Sequence, residues 1–190
     1  MEIEYHITTW KEIVKKIYIL CDKIKESGFQ PDVLVSILRG GAPVTALLSD
    51  CLGVTNIASI RIMLYKGIAK PDEEAQILQP LAIDVRGKKV LIVDDVADTG
   101  KTLIVAKNHV ADKGASEIKI ATIHMKPWSK IVPDYYVEVT DRWIVYPWEY
   151  HEFIREISMR LEKGDFSETE ARKASDALAL VKRIVEEILR

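Results

Sequence analysis

The sequence of 190 residues carries no surplus of charge: 27 Lys and Arg stand against 29 Asp and Glu, a formal net charge of −2. A protein that grips nucleic acid through its phosphates needs a basic excess to release counterions, so the balance argues against a general nucleic-acid partner. Long apolar runs are also missing. The apolar stretches are strand-sized, such as residues 90–93, far short of the ~20 residues that cross a bilayer. The opening Met-Glu-Ile-Glu-Tyr-His lacks the basic segment and apolar stretch of a signal peptide, and the expectation is a cytoplasmic protein with no membrane partner. Cysteine is scarce. Cys21 and Cys51 both fall on apolar positions of helix-like segments and read as small core hydrophobes in a reduced compartment; one disulfide is compatible with them but not required. Apolar residues, by contrast, make up 48% of the chain, enough for one proper core, and the length suits one domain with an appendage.

Thr9-Trp10-Lys11-Glu12 has capping-box spacing, and Ile13, Val14, Ile17, Cys21 and Ile24 follow at helical intervals, predicting a helix over 10–27. Val33-Leu34-Val35-Ser36-Ile37-Leu38 reads as a strand, stopped by Arg39-Gly40-Gly41, with a helix expected from Pro43. Residues 57–64 alternate like a strand. Residues 66–80 are polar, contain Gly67, Pro71 and Pro80, and read as a long mobile loop with room for short strands. A strand over 90–93, a helix over 99–113 closed by Gly114, and strands over 118–125, 135–139 and 143–145 follow. Strands alternating with helices predict an α/β fold, a doubly wound and mainly parallel sheet. After Glu149 the pattern turns helical: Phe153, Ile157 and Leu161 up to Gly164, then a capping box, Ser167-Glu168-Thr169-Glu170, and an apolar stripe of Ala174, Leu178, Val181, Val185 and Ile188. The expected organisation is a sheet domain over 1–150 and a C-terminal helical appendage over 151–190, its stripe buried on the sheet domain or across a subunit interface.

The chemistry is concentrated in Val90-Leu91-Ile92-Val93-Asp94-Asp95-Val96-Ala97-Asp98-Thr99-Gly100-Lys101-Thr102. An apolar strand runs into two adjacent carboxylates, then a third, then a Thr-Gly-Lys-Thr turn that opens a helix. The carboxyl ends of parallel strands are where open α/β sheets bind ligands. Backbone N–H groups at the start of a helix, with the Thr99 and Thr102 hydroxyls, suit a phosphate monoester, while adjacent carboxylates suit vicinal hydroxyls or a hard cation. The segment is not a nucleotide P-loop. That motif needs glycine at position 95, and Asp95 would set an anion against the phosphates. A solvated turn with Asp98 or Thr99 capping the helix is the plainer reading, and three carboxylates at this spacing weigh against it.

This segment closely resembles the phosphoribosyl-pyrophosphate motif of type I phosphoribosyltransferases. Ser36-Ile37-Leu38-Arg39-Gly40-Gly41-Ala42-Pro43 resembles the pyrophosphate loop of the same family; a strand followed by glycines is common, but beside the first motif the match gains weight. Trp143-Ile144-Val145-Tyr146-Pro147-Trp148-Glu149 is similar to the segment that closes over the purine in xanthine–guanine members, and Lys126 matches the lysine that donates to the purine 6-oxo group. Taken alone, Trp143 and Trp148 would read as core aromatics and Lys126 as a strand end in water. The resemblance spans about residues 31–149. Two departures stand out: Glu149 occupies a position where bacterial members usually carry Asp, and the last 40 residues have no counterpart in the short bacterial enzymes.

The resemblance implies a purine salvage enzyme that joins phosphoribosyl pyrophosphate to hypoxanthine, guanine or xanthine with Mg²⁺ as cofactor. It assigns Asp94 and Asp95 to the ribose hydroxyls, with Asp95 the Mg²⁺ contact, directly or through water. Asp98, Thr99, Gly100, Lys101 and Thr102 take the 5′-phosphate, and Arg39 and Gly40 the pyrophosphate. Lys126, Trp143, Ile144 and Glu149 take the base, and Asp98 is the candidate general base. A homodimer or larger assembly is expected. The alternatives are a regulator that senses phosphoribosyl pyrophosphate without turnover, or a transferase for adenine or orotate.

Overall fold

The computed structural model describes residues 3–66 and 73–190. In chain order the elements are β1 (Tyr5–Ile7), α1 (Trp10–Glu26), β2 (Val33–Leu38), α2 (Gly41–Leu52), β3 (Ile57–Lys66), β4 (Glu73–Gln79), β5 (Lys89–Ala97), α3 (Lys101–Asp112), β6 (Glu117–Met125), β7 (Glu138–Val139), β8 (Trp143–Val145), a single 3₁₀ turn (Pro147–Glu149), α4 (Tyr150–Lys163) and α5 (Glu168–Ile188). They form two compact units. One is Val14–Thr140; the other joins Met1–Ile13 to Asp141–Arg190.

The larger unit holds a six-stranded sheet in the order β4-β3-β2-β5-β6-β7. Every pairing is parallel except β3 with β4. A strand covered on both faces reads as an unbroken apolar run, and β2 and β5 do. On one face Val33, Val35, Ile37, Val90 and Ile92 pack with Leu103, Ala106 and Val110 of α3. On the other, Leu34, Leu91 and Val93 are fully buried, and Gly41 of α2 lies against the Val93 carbonyl. Each such aliphatic side chain contributes about 1.5–3 kcal/mol by leaving water. The doubly wound, mainly parallel α/β sheet expected from the alternating pattern is the fold observed.

Two readings change. The polar stretch over 66–80 is not all loop, because Glu73–Gln79 forms β4, antiparallel to β3. Ala75 and Ile77 face the core and Glu74 and Gln76 face water, an alternation too short to stand out within a polar stretch bounded by Pro71 and Pro80. The rest of that expectation, residues 67–72, lies outside the described residues. The two cysteines are not separate core thiols but one disulfide, Cys21–Cys51, which ties α1 to α2. Their Cα atoms stand 6.5 Å apart, within bridging range, a relation between two helices that no local pattern records.

The smaller unit is built from both ends of the chain. β1 pairs in parallel with β8, Tyr5 against Trp143 and Ile7 against Val145. The Thr8 hydroxyl donates to the Val145 carbonyl at 3.0 Å, and the Tyr150 hydroxyl donates to the Thr8 carbonyl. Gly164, at φ +69°, ends α4 in a left-handed conformation that costs glycine nothing. The capping box read at Ser167 is present, with both the Glu170 N–H and the Glu170 carboxylate engaged. Ala174, Leu178 and Val181 of α5 are buried against Phe153 and Ile157 of α4 and Val145 of β8. The N-terminal part of the α5 stripe is therefore buried inside this unit, Val185 is partly buried, and Ile188 is exposed. The packing groups α4 and α5 with β1 and β8, a different grouping from the expected 1–150 and 151–190, which followed helical periodicity alone. Among the described residues, no helix is long and apolar enough to cross a membrane.

Candidate active site

β2 continues through α2 to β3 on one side of the sheet, and β5 through α3 to β6 on the other. The carboxyl ends of β2 and β5 therefore flank the topological switch point, where a crevice opens in folds of this class. Asp94 and Asp95 sit at that end of β5, both at least nine-tenths buried. The Asp95 N–H donates to Asp94 Oδ1 at 3.0 Å, which fixes the first carboxylate against its own backbone. Arg39 and Gly40 leave β2 alongside, with the Leu38–Arg39 peptide cis and the Ala42 N–H donating to the Arg39 carbonyl at 3.0 Å. A methyl group on Gly40 would lie 2.0 Å from Asp95 Oδ2, and one on Gly41 would lie 2.4 Å from the Val93 oxygen. Both glycines are dictated by close approach, and the two motifs picked from sequence meet here.

Downstream, Gly100 turns the chain at φ +79° into α3. The Lys101 N–H donates to Thr99 Oγ1 at 3.4 Å and the Ile104 N–H to the Gly100 carbonyl at 3.0 Å. The turn over 98–102 thus combines first-turn amides of a helix with two hydroxyls and an ammonium, the donor set an exposed phosphate needs.

Lys126 follows β6 and is buried, with 7% of its surface exposed. A buried ammonium is costly to desolvate unless it meets acceptors, within the fold or from a ligand. The segment it opens, residues 126–131, is strapped onto the turn over 98–102. The Lys126 N–H donates to the Ala97 carbonyl at 2.9 Å and the Lys130 N–H to the Thr99 carbonyl at 3.2 Å. Within the strap, Trp128 Nε1–H donates to Asp98 Oδ1 at 2.9 Å, and the Lys126 ammonium lies 5.5 Å from the Trp128 ring centroid. Sequence reasoning passed over Trp128. Its signal, a Lys-Pro-Trp following the strand, is weak because a single aromatic on a turn is ordinary surface.

In the smaller unit, Trp143, Ile144 and Glu149 line one recess of about 130 Å³ together with Val145, Glu152, Phe153 and Glu156. The Trp143 ring is half exposed, and its backbone N–H donates to the Glu4 carbonyl at 2.7 Å. Trp148 has a different role. It stacks on Tyr146 at 4.8 Å between centroids and packs against Trp10, so it is a packing aromatic. The structure thus gathers Arg39, Gly40, Asp94, Asp95, Asp98, Thr99, Gly100, Lys101, Thr102 and Lys126 at one end of the larger sheet, and Trp143, Ile144 and Glu149 in one recess of the smaller unit.

Carboxyl strand ends of this kind are where open α/β sheets bind ligands, and the turn over 98–102 presents donors suited to a phosphate. The phosphoribosyl transferase domain family matches residues 6–153, and the chain belongs to that family. It is similar to the xanthine-guanine phosphoribosyltransferase of Gluconobacter oxydans, 27% identical over 149 residues that cover 77% of this chain and 86% of the relative. It is 33% identical over 140 residues to the hypoxanthine-guanine phosphoribosyltransferase of Lactococcus lactis, covering 70% of this chain and 75% of that one. Among solved structures, the purine phosphoribosyltransferase from Pyrococcus horikoshii is 42% identical with a TM-score of 0.70, covering 77% of this chain and 94% of its own. The chain is a phosphoribosyltransferase of the purine salvage class, as the resemblance implied.

Proposed function

We propose that the enzyme transfers the 5-phosphoribosyl group of phosphoribosyl pyrophosphate to a 6-oxopurine, hypoxanthine, guanine or xanthine, releasing pyrophosphate. The observation that carries this reading is the buried Asp94–Asp95 pair pressed against Gly40 at the same sheet end as the buried Lys126. Asp94 and Asp95 accept from the ribose hydroxyls. The amides and hydroxyls of residues 98–102 grip the 5′-phosphate, and Arg39 with Gly40 holds the pyrophosphate through a planar guanidinium and an open backbone. Lys126 can only donate, which suits the 6-oxo acceptor. In the smaller unit we carry forward Trp143 for stacking, the Ile144 backbone for the base edge and Glu149 for the 2-position.

The donor set at Asp94 and Asp95 fits Mg²⁺, a hard cation that takes carboxylate oxygens, and Asp95, packed against the backbone of the pyrophosphate loop, is the residue to hold it, directly or through water. When bound, Mg²⁺ supplies charge neutralisation at the pyrophosphate. Loss of pyrophosphate leaves a cationic sugar, so positioning and fixed charge dominate over covalent chemistry. Asp98 accepts the proton from purine N7 as the ring becomes the nucleophile, worth about 10²–10⁴-fold. With Oδ1 taken by the Trp128 N–H, that proton goes to Oδ2. A cytoplasmic location and a homodimer or larger assembly belong to the same reading. The assembly rests on resemblance, because most of the α5 stripe is covered within the chain.

A pyrophosphate-release assay over hypoxanthine, guanine, xanthine and adenine tests this. Turnover is expected with at least one 6-oxopurine. Adenine presents a 6-amino donor to the Lys126 donor, a mismatch that costs about 10⁴-fold when both are desolvated. A kcat/KM for adenine within tenfold of the best 6-oxopurine would remove Lys126 from the base site, and no release with any base would favour the sensing protein over the enzyme.

A further inference from the structure

Trp128 carries two opposite charges on one ring. Its edge N–H points at the Asp98 carboxylate at 2.9 Å, and its face holds the Lys126 ammonium at 5.5 Å from the centroid. Both arrangements match the polarity of indole, positive at the N–H edge and negative over the face. The ring is half exposed, so burial of apolar area does not explain it. Its backbone, moreover, cannot drift. The strap over 126–131 is bonded to the phosphate turn through Lys126 to Ala97 and Lys130 to Thr99, with Ser129 N–H on the Lys126 carbonyl and Ser129 Oγ on the Ile131 carbonyl. Gly100 closes the fit. A Cβ there would lie 2.8 Å from Ile131 Cγ2, so the turn and the strap are in direct contact.

We propose that Trp128 is a positioning residue that holds the Asp98 carboxylate and the Lys126 ammonium in one fixed relation, so that the proton acceptor and the reader of the 6-oxo group meet the same purine together. The inference rests on the reading of Asp98 and Lys126 given above. Asp98 is an exposed side chain on a turn, and without an anchor it samples several rotamers. Fixing one carboxylate oxygen with a charge-assisted hydrogen bond selects the rotamer that turns the other oxygen to the substrate. Over the ring face, Lys126 is held by a contact that uses up no acceptor in the site. A displacement of about 1 Å in either group costs on the order of 10²-fold in rate.

Two variants separate the edge from the face. Trp128→Phe keeps an aromatic face under Lys126 and deletes the N–H to Asp98; Trp128→Leu deletes both. For a 6-oxopurine substrate, Trp128→Phe is expected to lower kcat about tenfold or more while the base KM stays within about threefold. Trp128→Leu is expected to lower kcat as far and also to raise the base KM about tenfold and narrow discrimination against adenine. Melting curves by circular dichroism accompany both, and if Trp128→Leu fails to fold, the Trp128→Phe split decides alone. The proposal is overturned if Trp128→Phe keeps kcat within twofold of wild type, or if kcat and KM shift in step in every folded variant, as a purely structural role would give. Absence of turnover with any 6-oxopurine in the wild type overturns the reading of the site and this proposal together. Wild-type turnover with an unresponsive Trp128→Phe overturns the proposal alone.

Discussion

Gly40 and Asp95 face each other so closely that a single methyl group on the first would sit 2.0 Å from the carboxylate oxygen of the second. The Arg39–Gly41 loop and the acidic strand end are therefore one packed surface rather than two independent motifs. Gly40→Ala must push Asp95 aside, since real Cβ atoms do not approach an oxygen that closely. The expected outcome is a rise of roughly tenfold or more in KM for phosphoribosyl pyrophosphate with the melting temperature changed by only a few degrees. Steady-state kinetics beside a thermal melt check it, and an unchanged KM would uncouple the loop from Asp95.

Asp98→Asn retains the shape of the side chain and an acceptor for Trp128 but removes the carboxylate proposed as the base. The variant is expected to lose about 10²-fold or more in kcat with binding of phosphoribosyl pyrophosphate largely intact. Calorimetric titration with the pyrophosphorylated sugar, set beside turnover, reads the two separately. Turnover within a few-fold of wild type would demote Asp98 to a cap of α3.

The Cys21–Cys51 disulfide closes a loop with a sequence separation of 30. Chain-entropy reasoning assigns such a loop about 3–4 kcal/mol, by narrowing the unfolded ensemble. Replacing both cysteines with alanine is expected to lower Tm by roughly 6–16 °C for a chain of this size. Calorimetry of wild type with a thiol reductant should show a shift in the same direction. Equal Tm values for oxidised, reduced and substituted protein would refute it.

His109 gives a dependence on pH. Burial is the main cause that holds its imidazole below the ordinary value, with the Lys113 ammonium adding to it and Asp112 opposing. Its neutral Nε2 accepts the Leu81 N–H at 3.2 Å, a bond the protonated ring cannot make. The unfolded chain therefore takes up the proton first, so this stability is present above about pH 6.5 and is lost as pH falls through that value toward the lower folded pKa. His109→Gln keeps an acceptor that does not titrate. Tm of the wild type is expected to fall between about pH 6.5 and 5 more steeply than that of the variant. Parallel curves for the two would remove His109 from the acid response.

Local sequence announced the parts of the fold that local forces decide. The β5 run Val90-Leu91-Ile92-Val93 is apolar on both faces because it is covered on both, and the Ser167–Glu170 box is a closed local hydrogen-bond pattern. β1 was invisible: three residues, Tyr5, His6 and Ile7, become a strand only because β8 lies beside them. β4 lies in a stretch that reads as a loop with room for short strands, since Glu74 and Gln76 keep it polar. In the site, Asp94, Asp95, Asp98 and Lys126 were legible as chemical groups at strand ends. Trp128 was not, because its significance lies in what its edge and face touch rather than in its spacing.

The β1–β8 pairing sets an order on synthesis. Residues 14–140 are contiguous, so the larger unit has all of its strands once the ribosome has passed Thr140. Tyr5–Ile7 precedes that unit in the chain but finds its partner only when Trp143–Val145 emerges, and the helices that cover it come later still. This strand is thus paired only after the larger unit's strands have been made, and until then its open edge is a hazard for association with other chains. Emergence of α4 and α5, rather than of β1, completes the smaller unit.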